Sequence, residues 1–268
     1  SPWSFSGRLL SDSKLKYALQ HNADISGATL YRGADLDTLS LTEDALPALE
    51  KILLGKGRYY ELRMGDKIDI SVQIRSQAAT VLGKSSSAEA VYILEKYLER
   101  DKGEELVRAV ALTALGLRAF PRSRLLIEQH VFHEDPMVSQ AAVEALGELG
   151  DIRSIPTLVA ATRYSKKNVN DASKRAAIVA IATIGSALAE TALMGIIKRR
   201  DQFFQSHRTL AMKKLISSPF FIDIGFLIKV TKNIHNDAIV GQLALDALAG
   251  FAYEGSEAAI CYLRFVAD

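Results

Sequence analysis

The sequence holds little of what covalent and catalytic chemistry usually needs. Its 268 residues include one cysteine, Cys261. A lone thiol excludes an internal disulfide, a zinc cluster and an iron–sulfur site built on several thiolates. It leaves the compartment open, with cytoplasmic slightly ahead of periplasmic, because a periplasmic helical protein needs no disulfide. With 6 prolines and 17 glycines, the composition argues against long linkers or disordered tracts. Aromatic residues make up 7% and are outnumbered by Ala and Leu, a balance that suits close-packed helices better than sheets. There is no nucleophile elbow, no glycine loop that cradles phosphate and no paired-His motif. No catalytic residue, cofactor or metal site is therefore expected, and the chain reads as a non-enzyme.

Signals for membranes and targeting are also missing. The chain begins at Ser1 with no signal-like apolar stretch, which reads as a processed or trimmed product. The one run long enough to span a bilayer is Ala176 to Ile197, where Glu190 is the only charge. Its small residues and the Gly185-Ser186 step in its middle read as a buried helix pair, so no transmembrane segment is expected.

What the sequence does contain is a repeat. Six ten-residue segments align, starting at Ile74, Val107, Val138, Ser173, His207 and Val240, at spacings of 33, 31, 35, 34 and 33 residues. Each has small or apolar residues at helical spacing, and the ninth position holds Leu82, Leu115, Leu146, Ile181, Leu215 or Leu248. Breaks follow at Gly83-Lys84-Ser85-Ser86, Gly116 to Pro121, Gly150-Asp151, Gly185-Ser186, Ser217-Ser218-Pro219 and Gly250 to Gly255. Second helices are expected near Ala88–Leu98, Ser123–Phe132, Ile155–Tyr164, Ala187–Lys198, Ile222–Val230 and Glu257–Val266. One helix pair cannot bury its own apolar faces, so the pairs must stack.

The run AAVEALGELGDIRSIPTLVAA, from Ala141 to Ala161, resembles the short HEAT repeat of the phycobilisome-lyase-like type. The resemblance extends over about Asp69 to Asp268. It implies an all-α fold: an α-solenoid of about six HEAT-like helix pairs with a degenerate N-terminal capping region. Two parts are expected, an irregular cap over residues 1–68 and the solenoid over residues 69–268. In the cap, Asp44–Leu54 reads as the second helix of a degenerate repeat and Lys14–Gln20 as a remnant of its partner. Between them Ala23 to Asp37 has a weak five-residue rhythm, too short to build a β-helix.

Such repeats occur in scaffolds, assembly factors and bilin lyases and, in diverged form, in alkylpurine DNA glycosylases; fold alone does not choose among them. Trp3, the only tryptophan, lies outside the repeats, which weighs against a glycosylase's aromatic-lined groove. The aromatic-rich helix expected of a bilin lyase is absent. His130 and His133, with Glu134 and Asp135, have spacing that suits a metal, yet they also read as a polar helix terminus. Glu95 and Glu99, beside Lys96 and Arg100, form an ordinary solvated helix face. Arg75, Arg108, Lys174 and Arg208 share the second repeat position, and Ser139 and Gly241 break the row. In repeats of this family that position often pairs with an acidic residue just upstream. Asp69, Glu104 and Asp171 are placed to do so, which would make structural rungs between repeats.

Charge is distributed unevenly. From Arg163 to Lys232 there are 13 basic and 4 acidic residues, while the remainder holds 20 basic and 27 acidic. Arg163, Lys198 and Lys232 each lie 17 residues after the key apolar residue of their repeat, and so should line one edge of three consecutive repeats. Lys166, Lys167, Arg199, Arg200 and Lys229 join them. Helix C-termini attract one such charge each through the dipole, but not a regional excess. The expectation is a scaffold or assembly factor that binds a protein with an acidic surface, through a concave face of second helices and this basic edge. Nucleic acid ranks behind a protein partner, and a lyase or chaperone-like assembly enzyme ranks behind both.

Overall fold

The structure is a computed structural model that describes residues 4–30, 35–36, 42–64, 66–100, 103–163, 169–219, 221, 223–232 and 237–267. The chain forms two compact units, Ser1–Leu149 and Gly150–Asp268.

The first unit opens with β1 (Leu9–Leu10), α1 (Asp12–Gln20), β2 (Thr29–Leu30), α2 (Leu46–Leu54), β3 (Tyr60–Arg63) and β4 (Asp66–Asp69). The strands form one sheet in the order β1-β2-β3-β4, parallel from β1 to β3 and closed by an antiparallel hairpin. This sheet was not expected in the cap. Its parallel part rests on two matched stretches, Phe5-Ser6-Gly7 and Ile25-Ser26-Gly27. They are joined by a ladder in which Gly7 N–H donates to Gly27 O (3.1 Å) and Thr29 N–H to Arg8 O (2.9 Å). Leu10, Leu30, Leu15, Leu19, Leu49 and Ile52 are buried, a core shared by sheet and helices.

Three more first helices follow in this unit, α3 (Ser71–Lys84), α5 (Glu105–Arg118) and α7 (Pro136–Leu149), with second helices α4 (Ala88–Leu98) and α6 (Arg124–His130) packed against them. Gly83 and Gly116 do not break helices, as the sequence suggested. They sit inside α3 and α5, where the neighbouring helix comes too close for a side chain. A Cβ on Gly83 would lie 2.6 Å from the Ala114 Cβ, and one on Gly116 would lie 2.5 Å from the Ala145 Cα.

The second unit holds α8 (Ile155–Thr162), α9 (Asp171–Ile184), α10 (Ala187–Lys198), α11 (Gln205–Ile216), α12 (Ile224–Thr231), α13 (Ala238–Tyr253) and α14 (Glu257–Ala267). Asn170 caps α9, Ser186 caps α10 and Asp223 caps α12, each accepting an orphan N–H of the first turn. The apolar run at Ala176 to Ile197 is divided as its Gly-Ser step implies. Gly185 ends α9 in the left-handed region at φ 58°, which favours glycine, and Ser186 starts α10. Among the described residues no helix is long and apolar enough to cross a membrane.

Between residues 70 and 267 the described secondary structure is helical. Leu82, Leu115, Leu146, Ile181, Leu215 and Leu248 are each 0% exposed. Full burial of such a side chain stabilises by about 1.5–3 kcal/mol, which explains why this position is the steadiest mark of the repeat. The fold is an α-solenoid type of helix pairs behind a degenerate cap.

Candidate functional site

The described basic residues of the expected edge lie at or just after the ends of second helices in the second unit. Arg163 caps α8, Lys198 is the last residue of α10, Arg199 and Arg200 follow it, Lys229 lies in the last turn of α12 and Lys232 caps that helix. Cations there offset the helix dipole, so each position has a local reason to be basic. Lys166 and Lys167 lie outside the described residues.

Three of these side chains converge. Lys198, Arg200 and Lys229 border a cavity of about 250 Å³, whose wall includes Phe226 and Val240. The Lys198 ammonium sits 5.3 Å from the centroid of the Phe226 ring, a cation–π contact that holds the charge at the cavity wall. At the same cavity Arg208 from α11 pairs with Asp237, which precedes α13, and the two side chains are 8% and 4% exposed. Asp237 also accepts from Gln205 Nε2 at 3.1 Å. Asp237 is the only carboxylate among the described lining residues, and Arg208 already neutralises it. The cavity therefore presents a cationic rim over an apolar wall and an internally balanced ion pair. Arg163, Arg199 and Lys232 do not line it.

Phe226 and Asp237 were not singled out from the sequence. The spacing of Asp237, 29 residues after Arg208 and matched by Glu104 after Arg75, was a usable signal. The four repeat cations, Arg75, Arg108, Lys174 and Arg208, are all at most 8% exposed. In the two that pair with an acid, Arg75 and Arg208, the acidic residue lies downstream rather than upstream. Arg75 pairs with Glu104 at the start of α5 and donates to Gly57 O at 2.8 Å. Asp69 instead accepts from Ser71 N–H at 2.9 Å and from its hydroxyl, bonds that hold its carboxyl below the usual range. A rung thus bonds to the N-terminus of the next first helix, where an acidic residue also meets the positive end of the dipole. Lys174 has no such acid; its ammonium lies 5.8 Å from the Phe204 ring centroid, and burial pushes its pKa down.

The two histidines in the buried interior act structurally. Arg108 donates to His130 Nε2 at 3.1 Å and His130 Nδ1 donates to Leu126 O at 2.9 Å, so both ring nitrogens are engaged. Burial, followed by the nearby Arg108 charge, pushes the His130 pKa down against the Leu126 bond. A nitrogen that accepts from a guanidinium is not available to a metal. No group of three or more potential metal ligands occurs among the described residues. In the second unit His207 is 0% exposed and bonds Asp171 Oδ1 through Nε2 at 2.8 Å. Its pKa is lowered by burial, with Asp171 opposing.

The first unit has a larger groove, about 1270 Å³, bordered by α2, the β3–β4 hairpin, α3 and the start of α5. An apolar cleft of about 500 Å³ between α3, α5 and α7 adjoins it at Thr80 and Leu106. Neither was visible in the sequence. The larger one mixes Lys56, Arg58, Arg63, Arg75 and Arg100 with Asp69, Glu104 and Glu105, so charges of both signs line it.

A family model described as HEAT repeats matches residues 100–173, and over that stretch the chain carries HEAT repeats. No curated protein matches the chain. Among solved structures, human deoxyhypusine hydroxylase in complex with glycerol matches with 16% identity and a TM-score of 0.37, over 83% of this chain and 89% of that one. The reading of the chain as a non-enzyme is corrected by this match, because the matched protein is named as an enzyme. A helical-repeat scaffold presents surfaces and hosts reactions alike, so absent motifs do not settle activity. At this identity and TM-score the match transfers no reaction, substrate or residue to this chain.

Proposed function

We propose that the chain is a partner-binding protein that docks an acidic segment of another protein against the cavity bordered by Lys198, Arg200 and Lys229. Helical repeats of this kind serve protein–protein interaction in general. The observation that carries the reading is the regional charge: 13 basic against 4 acidic residues from Arg163 to Lys232, with Lys198, Arg200 and Lys229 bordering one cavity. An incoming carboxylate would gain charge-assisted hydrogen bonds there, and the basic excess from Arg163 to Lys232 would speed its approach. The rim comes from the C-terminal ends of α10 and α12, which agrees with a partner lying along the face of second helices. On this reading residues 1–68 cap the array at 69–268, and the run from Ala141 to Ala161 supports the phycobilisome-lyase-like type of repeat.

The test is fluorescence anisotropy with a labelled oligo-glutamate peptide, against wild type and a Lys198→Glu/Lys229→Glu variant. Both lysines are exposed, so the variant should unfold at nearly the wild-type urea midpoint. The peptide should bind wild type with an affinity that falls as salt rises, and bind the variant at least about tenfold more weakly. Equal affinity for both proteins would remove the cavity from the account. Tighter binding of single-stranded DNA than of the peptide would favour the nucleic-acid reading instead.

A further inference from the structure

We infer that the chain pairs with a second copy of itself through its last helix pair, α13 and α14, about a two-fold axis near Ile260 and Cys261. The inference is independent of the acidic-docking reading above.

The sixth position of the repeat carries the main observation. Ala79, Leu112, Val143, Ile178 and Met212 hold it in the first five repeats, and each is 0% exposed. In the last repeat it holds Leu245, which is only half-buried. The tenth position behaves alike. Gly83 and Gly116 hold it in α3 and α5, where each meets the first helix of the following repeat, while Ala249 in α13 is exposed. The second helix agrees. Ser256 precedes α14 as Ser87 precedes α4, and the residues four and seven places on are Ile260 and Leu263 in one, Val91 and Leu94 in the other. Val91 and Leu94 are fully buried, whereas Ile260 and Leu263 are half-buried. The last pair therefore leaves open the side on which an earlier repeat packs against its successor. Covering that side removes apolar surface from water, as each earlier stacking step does.

Charge and topology select what covers it. Glu257 and Arg264, both exposed, lie seven residues apart, which is two turns along one side of α14. A second α14 laid antiparallel brings Arg264 of each copy opposite Glu257 of the other, so one contact forms two ion pairs. The axis then falls between Ile260 and Cys261. Such an isologous contact closes on itself. Head-to-tail stacking would instead need the opposite side of a first helix pair, and α2 already packs against α3 and α4. The open side thus makes a closed dimer and not a filament.

The test is sedimentation equilibrium of the full chain. Its mass should rise with concentration from 29.3 kDa towards twice that value through the micromolar range. Arg264→Glu sets like charges against each other at both symmetric places and should weaken dimerisation at least about tenfold. Glu257→Arg combined with Arg264→Glu restores opposite charges and should recover most of the affinity. Both side chains are exposed, so these variants should unfold near the wild-type urea midpoint at concentrations where the wild type is monomeric. Leu245→Lys should also be monomeric. A short bismaleimide should link the exposed Cys261 thiols of two wild-type chains, and should fail to do so in Arg264→Glu at equal concentration. A wild-type chain that stays monomeric at every concentration would overturn the inference. So would a dimer that Arg264→Glu leaves unchanged, or one in which the Cys261 thiols are not linked, since either would put the contact on another surface.

Discussion

Substitution of Asp237 by Asn should destabilise the second unit far more than the equivalent change at Glu104 destabilises the first. Both residues are the acidic member of a repeat rung, but their surroundings differ. The Asp237 and Arg208 side chains are 4% and 8% exposed, so their pair is withdrawn from water on both sides. Glu104 is 38% exposed beside an Arg75 that is 10% exposed. Asp237→Asn keeps the size and an acceptor for Gln205, and removes only the charge. It leaves the buried Arg208 guanidinium without a counter-ion, which costs about 3–5 kcal/mol. With Glu104→Gln, Arg75 keeps the Gly57 carbonyl and water reaches the site, so the cost is about 1 kcal/mol. The measurement is urea unfolding followed by far-UV circular dichroism, with amide exchange used to assign each transition to its unit. A loss of about 3–5 kcal/mol corresponds to a fall in Tm on the order of 10 °C or more. Replacing both partners, as Arg208→Met with Asp237→Leu, should recover most of it, since two well-packed apolar groups leave no charge to solvate. An Asp237→Asn loss no larger than that of Glu104→Gln would show that burial of the pair does not govern its energetics.

Two further outcomes follow from the packing and the buried imidazoles. Gly116→Ala should cost about 1–3 kcal/mol, because its Cβ would meet Ala145 at 2.5 Å, whereas Gly250→Ala in α13, with open space around it, should stabilise by about 0.5–1 kcal/mol; opposite signs in urea midpoints check this. His207 and His130 have folded-state pKa values lowered by burial, so the unfolded chain binds protons more readily, and stability present above about pH 6.5 should be lost progressively as the pH falls below it. His207→Gln should flatten that dependence in the second unit, and an unchanged slope would mean that His207 titrates alike in both states.

Much of the helical architecture was legible because one position carries it. The residues from Leu82 to Leu248 recur at helix-pair spacing and are fully buried, so their pattern reports the packing directly. Ala88–Leu98 and Ala187–Lys198 were readable to their ends, since Ser87 and Ser186 mark where each begins. The sheet was not legible: strands of two residues, Leu9–Leu10 and Thr29–Leu30, are too short to show alternation. Gly83 and Gly116 looked like breaks because sequence shows glycine but not the helix pressed against it. The rungs were placed on the wrong side because Glu104 and Asp171 are near the repeat cations in sequence, whereas the side chain of Arg75 reaches the following repeat. Of the basic residues, the register could align helix ends, but only the positions of Phe226 and Asp237 show which cations meet.

The central claim is that an acidic partner segment seats at the ends of α10 and α12. Amide chemical-shift mapping, with the oligo-glutamate peptide titrated into isotope-labelled protein, tests it most directly. The account predicts saturable shifts concentrated at Lys198–Arg200, Phe226–Val230 and Val240, with the first unit unchanged. Shifts confined to the groove lined by Arg58, Arg63 and Arg100, or none at saturating peptide, would contradict it.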